Sequence, residues 1–194
     1  AITTENIEVP AAPRISDARA QFNRIQPFVL QWEGLWVNDP KDAGGETYRG
    51  ICRKLYPKLQ VWKSLDALKD SALKRKYKGT QAELDEIGDI YYNLYYNTSS
   101  ADKRNNARLA LYLYNFAVNA GPVRAKKLLQ KAAGVKVDGI VGNGTLGAVN
   151  SCATIAEKYY AALEAYYRSI GVGNNAKFLK GWLNRLVAAK SLSI

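Results

Sequence analysis

Apolar positions recur at helical spacing along most of the chain. Phe22, Ile25, Phe28, Val29 and Trp32 share one face of a helix predicted from about Ala18 to Trp32. Ser16-Asp17 stands where it would cap that helix. A short helix is expected from near Gly50 to just before Pro57. Leu65, Leu68, Ala72 and Leu73 predict an amphipathic helix over Ser64 to Lys78, ended by Gly79-Thr80. Leu84, Ile87, Tyr91, Leu94 and Tyr95 predict another over 82–97. Residues 107–118 are apolar almost throughout, so their helix has no side to give to water and belongs in the centre of a core. Gly121-Pro122 stops that helix and starts the next, which ends at Gly134. Further helices are expected at about 144–150, 152–170 and 176–189.

One stretch breaks the pattern. Residues 34–50 are polar and hold Pro40 and glycines at 34, 44, 45 and 50. They predict a loop or a short hairpin. The fold class is therefore mainly α, with at most a small β-hairpin near residues 35–50. Residues 1–18 read as a mobile N-terminal arm. Paired tyrosines at 91–92, 95–96, 159–160 and 166–167 read as core and interface rings, with a carbohydrate-stacking groove as the lesser alternative.

Composition narrows the chemistry. The 194 residues contain no histidine, which excludes a Ser-His-Asp triad, a Cys-His pair and His-ligated zinc. Cys52 and Cys152, the two cysteines, read as free thiols or as one bridge. Two cysteines make neither a zinc ribbon nor a disulfide framework. The net charge of +11 points to an anionic partner. The one dense cluster, Lys74-Arg75-Lys76 with Lys78, reads as a solvated helix face or a docking patch. No apolar run nears the roughly 18 residues of a membrane span, and no signal segment is visible at the start.

Acid/base work then falls to carboxylates. Glu33 ends the first helix, and the loop behind it carries Asp39, Asp42 and Glu46. Two carboxylates on a rigid turn beside aromatic rings suit acid/base cleavage of a sugar polymer. Trp32, Leu35 and Trp36 are placed to desolvate Glu33 and raise its pKa, and a helix C-terminus acts in the same direction. Asp42, nine residues on, is the expected partner; Thr47 is a hydroxyl suited to orienting a water. Asp39 is a lesser candidate, and Glu46 reads as a solvated loop residue.

Glu33-Gly34, Asn38-Asp39-Pro40, Asp42, Gly44-Gly45-Glu46-Thr47 and Gly50-Ile51 resemble the signature of the glycoside hydrolase family 108 muramidases. In that family the glutamate precedes two glycines and a tyrosine. Here Gly34 matches, Leu35 departs, and Trp36 keeps an aromatic ring. The segment is also similar to phage-type lysozymes, where an aspartate follows the helix-ending glutamate by nine residues. Tyr114 to Pro122, Leu128-Leu129-Gln130, Gly134 to Gly142 and Phe178 to Arg185 resemble the peptidoglycan-binding domain that accompanies the family's catalytic half.

The resemblance implies a lysozyme-like catalytic part at 19–87 and a helical peptidoglycan-binding part at 88–194, packed on the first as one core. It implies cleavage of the β-1,4 bond between N-acetylmuramic acid and N-acetylglucosamine, a reaction that needs no metal and no organic cofactor. Glu33, Asp42 and Thr47 are the expected catalytic residues, with Trp36, Asn38, Asp39, Tyr48 and Asn119 at the substrate. The expected partner is the peptidoglycan glycan strand, met by a monomer in the periplasm or outside the cell, with neither nucleic acid binding nor membrane insertion. A lytic transglycosylase and a non-catalytic wall-binding protein are the competing readings. Phage lysis, wall remodelling and protein export are all compatible roles.

Overall fold

The computed structural model describes residues 15–40, 44–104 and 106–194. In chain order the elements are α1 (Ile15–Leu30), β1 (Trp36–Val37), β2 (Thr47–Tyr48), β3 (Ile51–Cys52), α2 (Gln60–Ala67), α3 (Ser71–Lys74) and α4 (Gln81–Tyr91). A π-helical segment (Tyr92–Asn97) and a 3-10 turn (Ala101–Lys103) follow. Then come α5 (Ala107–Ala120), α6 (Pro122–Ala133), α7 (Asn143–Asn150), α8 (Ile155–Ile170), a 3-10 turn (Gly173–Asn175) and α9 (Ala176–Ser191). The fold is mainly α and lysozyme-like, with β-structure confined to residues 36–52 among those described. Among the described residues no helix is long and apolar enough to cross a membrane.

The chain forms two compact units, one of residues Gln26–Asn93 and one of Leu94–Ile194 with the chain up to Ile25. In the second, α5 is the central rod. Every residue from Leu109 to Ala117 is buried. α6, α8, α9 and the Ala101–Lys103 turn all pack on it. Its ends are built from local chemistry. The Asn106 Oδ1 accepts from the Leu109 amide at 3.0 Å, a side-chain N-cap. Pro122 opens α6 at a position whose amide has no helical partner to lose. Gly134, at φ 69°, closes it in the left-handed region. The tyrosine pairs split by the helical step: Tyr91, Tyr96, Tyr159 and Tyr167 are buried, and their neighbours are half-buried. Phe22, Tyr96 and Tyr114 form a ring cluster with centroids 5.2 to 5.5 Å apart.

The loop after α6 is shaped by one helix residue. The Gln130 amide nitrogen donates to Asp138 Oδ1 at 2.9 Å and to the Ile140 carbonyl at 3.0 Å. Its oxygen accepts from the backbone amides of Asp138 and Gly139 at 3.1 and 2.7 Å. Gln130 is 1% exposed, so the loop is tied to the interior.

In the 26–93 unit, β1, β2 and β3 form an antiparallel sheet in that order. Trp36 faces Tyr48 and Val37 faces Thr47; Thr47 then faces Cys52 and Tyr48 faces Ile51. The third strand replaces the helix expected from Gly50. Arg49 and Gly50 take φ of 48° and 77°, the two-residue turn whose twist matches antiparallel strands. The chain therefore folds back on β2 instead of coiling. The helix expected over Ser64–Lys78 is broken into α2 and α3, because the Asp70 carboxylate caps Ala72 N at 2.8 Å and starts a new helix. α1 is described from Ile15, so Ser16-Asp17 lies within it and not ahead of it as expected. Cys52 and Cys152 are free thiols.

α4 is anchored by a carboxylate network. Glu83, 3% exposed, accepts from Ser64 Oγ, from Tyr77 Oη at 2.9 Å and from Thr80 N at 2.8 Å. Thr80 Oγ1 in turn accepts from Glu83 N, completing a capping box. Burial pushes the Glu83 carboxyl up, but these donors outweigh it and hold it below its ordinary value.

Candidate active site

α1 ends at Leu30, and two further turn bonds, Trp32 N to Val29 O and Glu33 N to Leu30 O, carry the chain to Glu33. Gly34, at φ 66°, then reverses it into β1. Glu33 is half-buried there. Trp32 beside it is 39% exposed and packs edge-on against Phe28 at 6.3 Å.

The Arg49–Gly50 turn comes up against this carboxylate. A Cβ added at Gly50 would lie 2.6 Å from Tyr91 Oη and 3.4 Å from Glu33 Oε2. Both the approach and the positive φ require glycine there. Tyr91 Oη donates to the Arg49 carbonyl at 2.7 Å, so α4 pins the turn. Arg49 itself donates through Nη2 to the Lys78 carbonyl at 3.1 Å and through Nε to Tyr48 Oη at 3.3 Å. Glu33, the Gly50 backbone and the Tyr91 hydroxyl are thus gathered at one point from three elements.

A second network fixes the base of the hairpin. Glu46 accepts from Trp36 Nε1 at 2.7 Å and from Arg53 Nη1 at 2.8 Å. Arg53 also forks onto Asp66 at 2.6 and 2.7 Å. Hydrogen bonds to Asp66 and Glu46 push the Arg53 guanidinium up and the Asp66 carboxyl down. Lys74 and Arg75 lie over the Trp36 ring at 5.4 and 5.8 Å.

The expected site residues are placed unequally. Glu33 sits at the helix exit. Asn38 and Asp39 are exposed in the loop after β1. Thr47 is half-buried on β2, on the strand face opposite to Tyr48. Asp42 lies outside the described residues. Two substrate expectations are corrected by burial. Tyr48 is fully buried, its hydroxyl on the Tyr77 carbonyl at 3.2 Å. Trp36 is 7% exposed, with its indole N–H on Glu46. Trp32 is the ring that faces solvent. Glu46, expected to be solvated, is a buttress between Trp36 and Arg53. Asn119 belongs to the other unit, where its amide donates to Tyr167 Oη at 2.8 Å.

Tyr91, Arg49, Gly50 and Arg53 were not among the expected site residues. Tyr91 lay in an apolar stripe and looked like core. Gly50, adjacent to a bulky residue in a polar loop, was the signal available for the turn.

Comparison with known proteins places the chain in a family. The model of the family Glycosyl hydrolase 108 matches residues 26–121. That of the predicted peptidoglycan domain matches residues 124–187. The break between them falls at the Gly121-Pro122 junction of α5 and α6. The solved structure of Brucella abortus SagA is similar, with 32% identity and a TM-score of 0.63, over 89% of this chain and 93% of that one. No curated protein matches the chain. The chain, a peptidoglycan-directed glycoside hydrolase with a peptidoglycan domain behind its catalytic region, belongs to the glycosyl hydrolase 108 family.

Proposed function

We propose that the chain is an N-acetylmuramidase, hydrolysing the β-1,4 bond from N-acetylmuramic acid to N-acetylglucosamine, with Glu33 as general acid. The observation that carries this is the placement of Glu33 at the exit of α1, against a turn that must be glycine and that Tyr91 holds in position. A proton donor works only if its carboxyl is held within hydrogen-bond reach of the leaving oxygen. Here a helix end, a hairpin turn and α4 restrict it from three directions.

In this reading Glu33 protonates the glycosidic oxygen as the bond to the anomeric carbon breaks. Asp42 stabilises the developing cation or takes the proton of the attacking water, and Thr47 orients that water. Asn38 and Asp39 line the sugar side of the loop. Trp32 supplies the exposed ring for stacking. Tyr48 and Trp36 act from within, by fixing Arg49 and Glu46. The excess of positive charge holds the enzyme on an anionic wall.

The test is digestion of purified peptidoglycan with mass analysis of the fragments. Reducing N-acetylmuramic acid ends are expected, and Glu33→Gln is expected to abolish their release. Anhydro-muramic ends would make the protein a lytic transglycosylase. A fully active Glu33→Gln variant would remove Glu33 from the chemistry.

A further inference from the structure

The 94–194 unit carries a pocket that the cleavage reaction does not use. It has a volume of about 150 Å³ and is lined by Ala120 and by six larger residues, Asn119, Arg124, Tyr166, Tyr167, Ile170 and Trp182. Its walls are ordered by contacts already in place. Trp182 stacks on Tyr167 at 5.6 Å and 24°, and Phe178 on Trp182 at 5.9 Å and 30°. Tyr167 is buried, and its hydroxyl is fixed by the Asn119 amide nitrogen at 2.8 Å, so the acceptor of that carboxamide is its oxygen. Arg124 lies exposed over the Tyr166 ring at 5.5 Å. Among the described residues its hydrogen bond is from Nη1 to the Ala120 carbonyl at 3.3 Å.

Size and chemistry select the occupant. Pockets that enclose a drug-sized ligand run from roughly 300 to 1,000 Å³. A disaccharide is too large for this one; a single amino-acid end is not. A sugar also needs many polar partners, and the lining offers few. It provides apolar ring walls, one amide and one guanidinium. Arg124 is the sole charged residue among the six. A guanidinium with free donors is matched to a carboxylate, which it binds through paired hydrogen bonds. The stem peptides of peptidoglycan end in a small apolar residue with a free carboxylate.

We propose that this pocket binds the carboxylate end of a peptidoglycan stem peptide, with Arg124 on the carboxylate and the terminal side chain against Tyr166 and Trp182. Asn119 accepts from the last peptide N–H. The inference rests on the reading of the chain as a peptidoglycan hydrolase, and adds that the second unit recognises peptide rather than glycan. Wall that has already lost its stem peptides would be held less well.

The experiment is a titration of the full chain with a synthetic stem peptide, followed through the indole N–H signal of Trp182, which Trp182→Phe assigns. A saturable shift of that signal is expected. Arg124→Gln, a change at an exposed side chain, should weaken binding roughly ten- to a hundredfold, the usual worth of a charge-assisted hydrogen bond. The same peptide with an amidated C-terminus should lose as much. A peptide that leaves the Trp182 signal unmoved, or that binds equally well to Arg124→Gln or when amidated, overturns the proposal. So does a shift produced by a peptide-free chito-oligosaccharide in its place. The peptide has no glycosidic bond, so its binding and the release of reducing ends fail independently.

Discussion

α5 and the hairpin at 36–52 are held in place by different balances of burial and hydrogen bonding. α5 is buried over nine consecutive residues, Leu109–Ala117, and held by the helices around it. The hairpin has strands of two residues each, and its buried face is only three side chains wide, Trp36, Tyr48 and Ile51. Its position is set further by polar contacts: Tyr91 to Arg49, Trp36 and Arg53 to Glu46, and Arg53 to Asp66. Burial is non-directional and tolerates small shifts, whereas hydrogen bonds fix position. A scaffold is well served by the first and a proton donor by the second.

Mutations at the two places should therefore separate activity from stability. Glu33→Gln should lower the rate of peptidoglycan cleavage by about 10²–10⁴-fold or more, the usual contribution of a general acid. Its melting temperature should stay near the parent's, and a large drop in it would make Glu33 structural. Leu113→Ala in α5, fully buried in the parent, should do the reverse. It should cost about 2–5 kcal/mol by denaturant titration, with specific activity of the folded fraction retained.

Gly50→Ala tests the point where the two modes meet. Strain at φ 77° and the clash with Tyr91 Oη should cost about 1–3 kcal/mol, and cleavage should fall with it. Gly147→Ala in α7, where an added Cβ meets nothing within 4 Å, should instead stabilise by up to about 1 kcal/mol. Equal effects at the two glycines would remove the argument for a crowded turn.

The smallest effect concerns pH. Glu83 is held below its ordinary value when folded, so it contributes stability above the unfolded carboxylate range. That contribution is lost as pH falls through the folded value. Glu83→Gln should destabilise at neutral pH by about 1–3 kcal/mol and flatten the acid limb of a melting-temperature profile. An unchanged acid limb would mean that the network on α4 carries no linkage.

The same contrast explains what the sequence disclosed. Apolar spacing marked α5, α6, α8 and α9 to within a few residues, because burial writes itself into a run of 10 or more positions. Glu33 was legible because it follows an apolar helix and precedes a glycine. Its supports were not. Tyr91 reaches Arg49 across 42 residues, and Arg53 reaches Asp66 across 13. A two-residue strand has no period to detect, so β3 was read as a helix. Trp36 and Tyr48 looked like site aromatics because nothing local shows that a ring turns inward.

The Gln130 contacts have a consequence for how this chain tolerates change. The bend at 138–140 is tied down from outside by one carboxamide on the preceding helix, which serves the Asp138 carboxylate, the Ile140 carbonyl and two backbone amides. The shape persists only while that glutamine keeps its partners in the bend, the Asp138 carboxylate, which also accepts from the Ile140 amide at 2.8 Å, and Gly139 at φ 79°. Transplanted to another helical scaffold without it, the same loop would arrive as a sequence without a conformation.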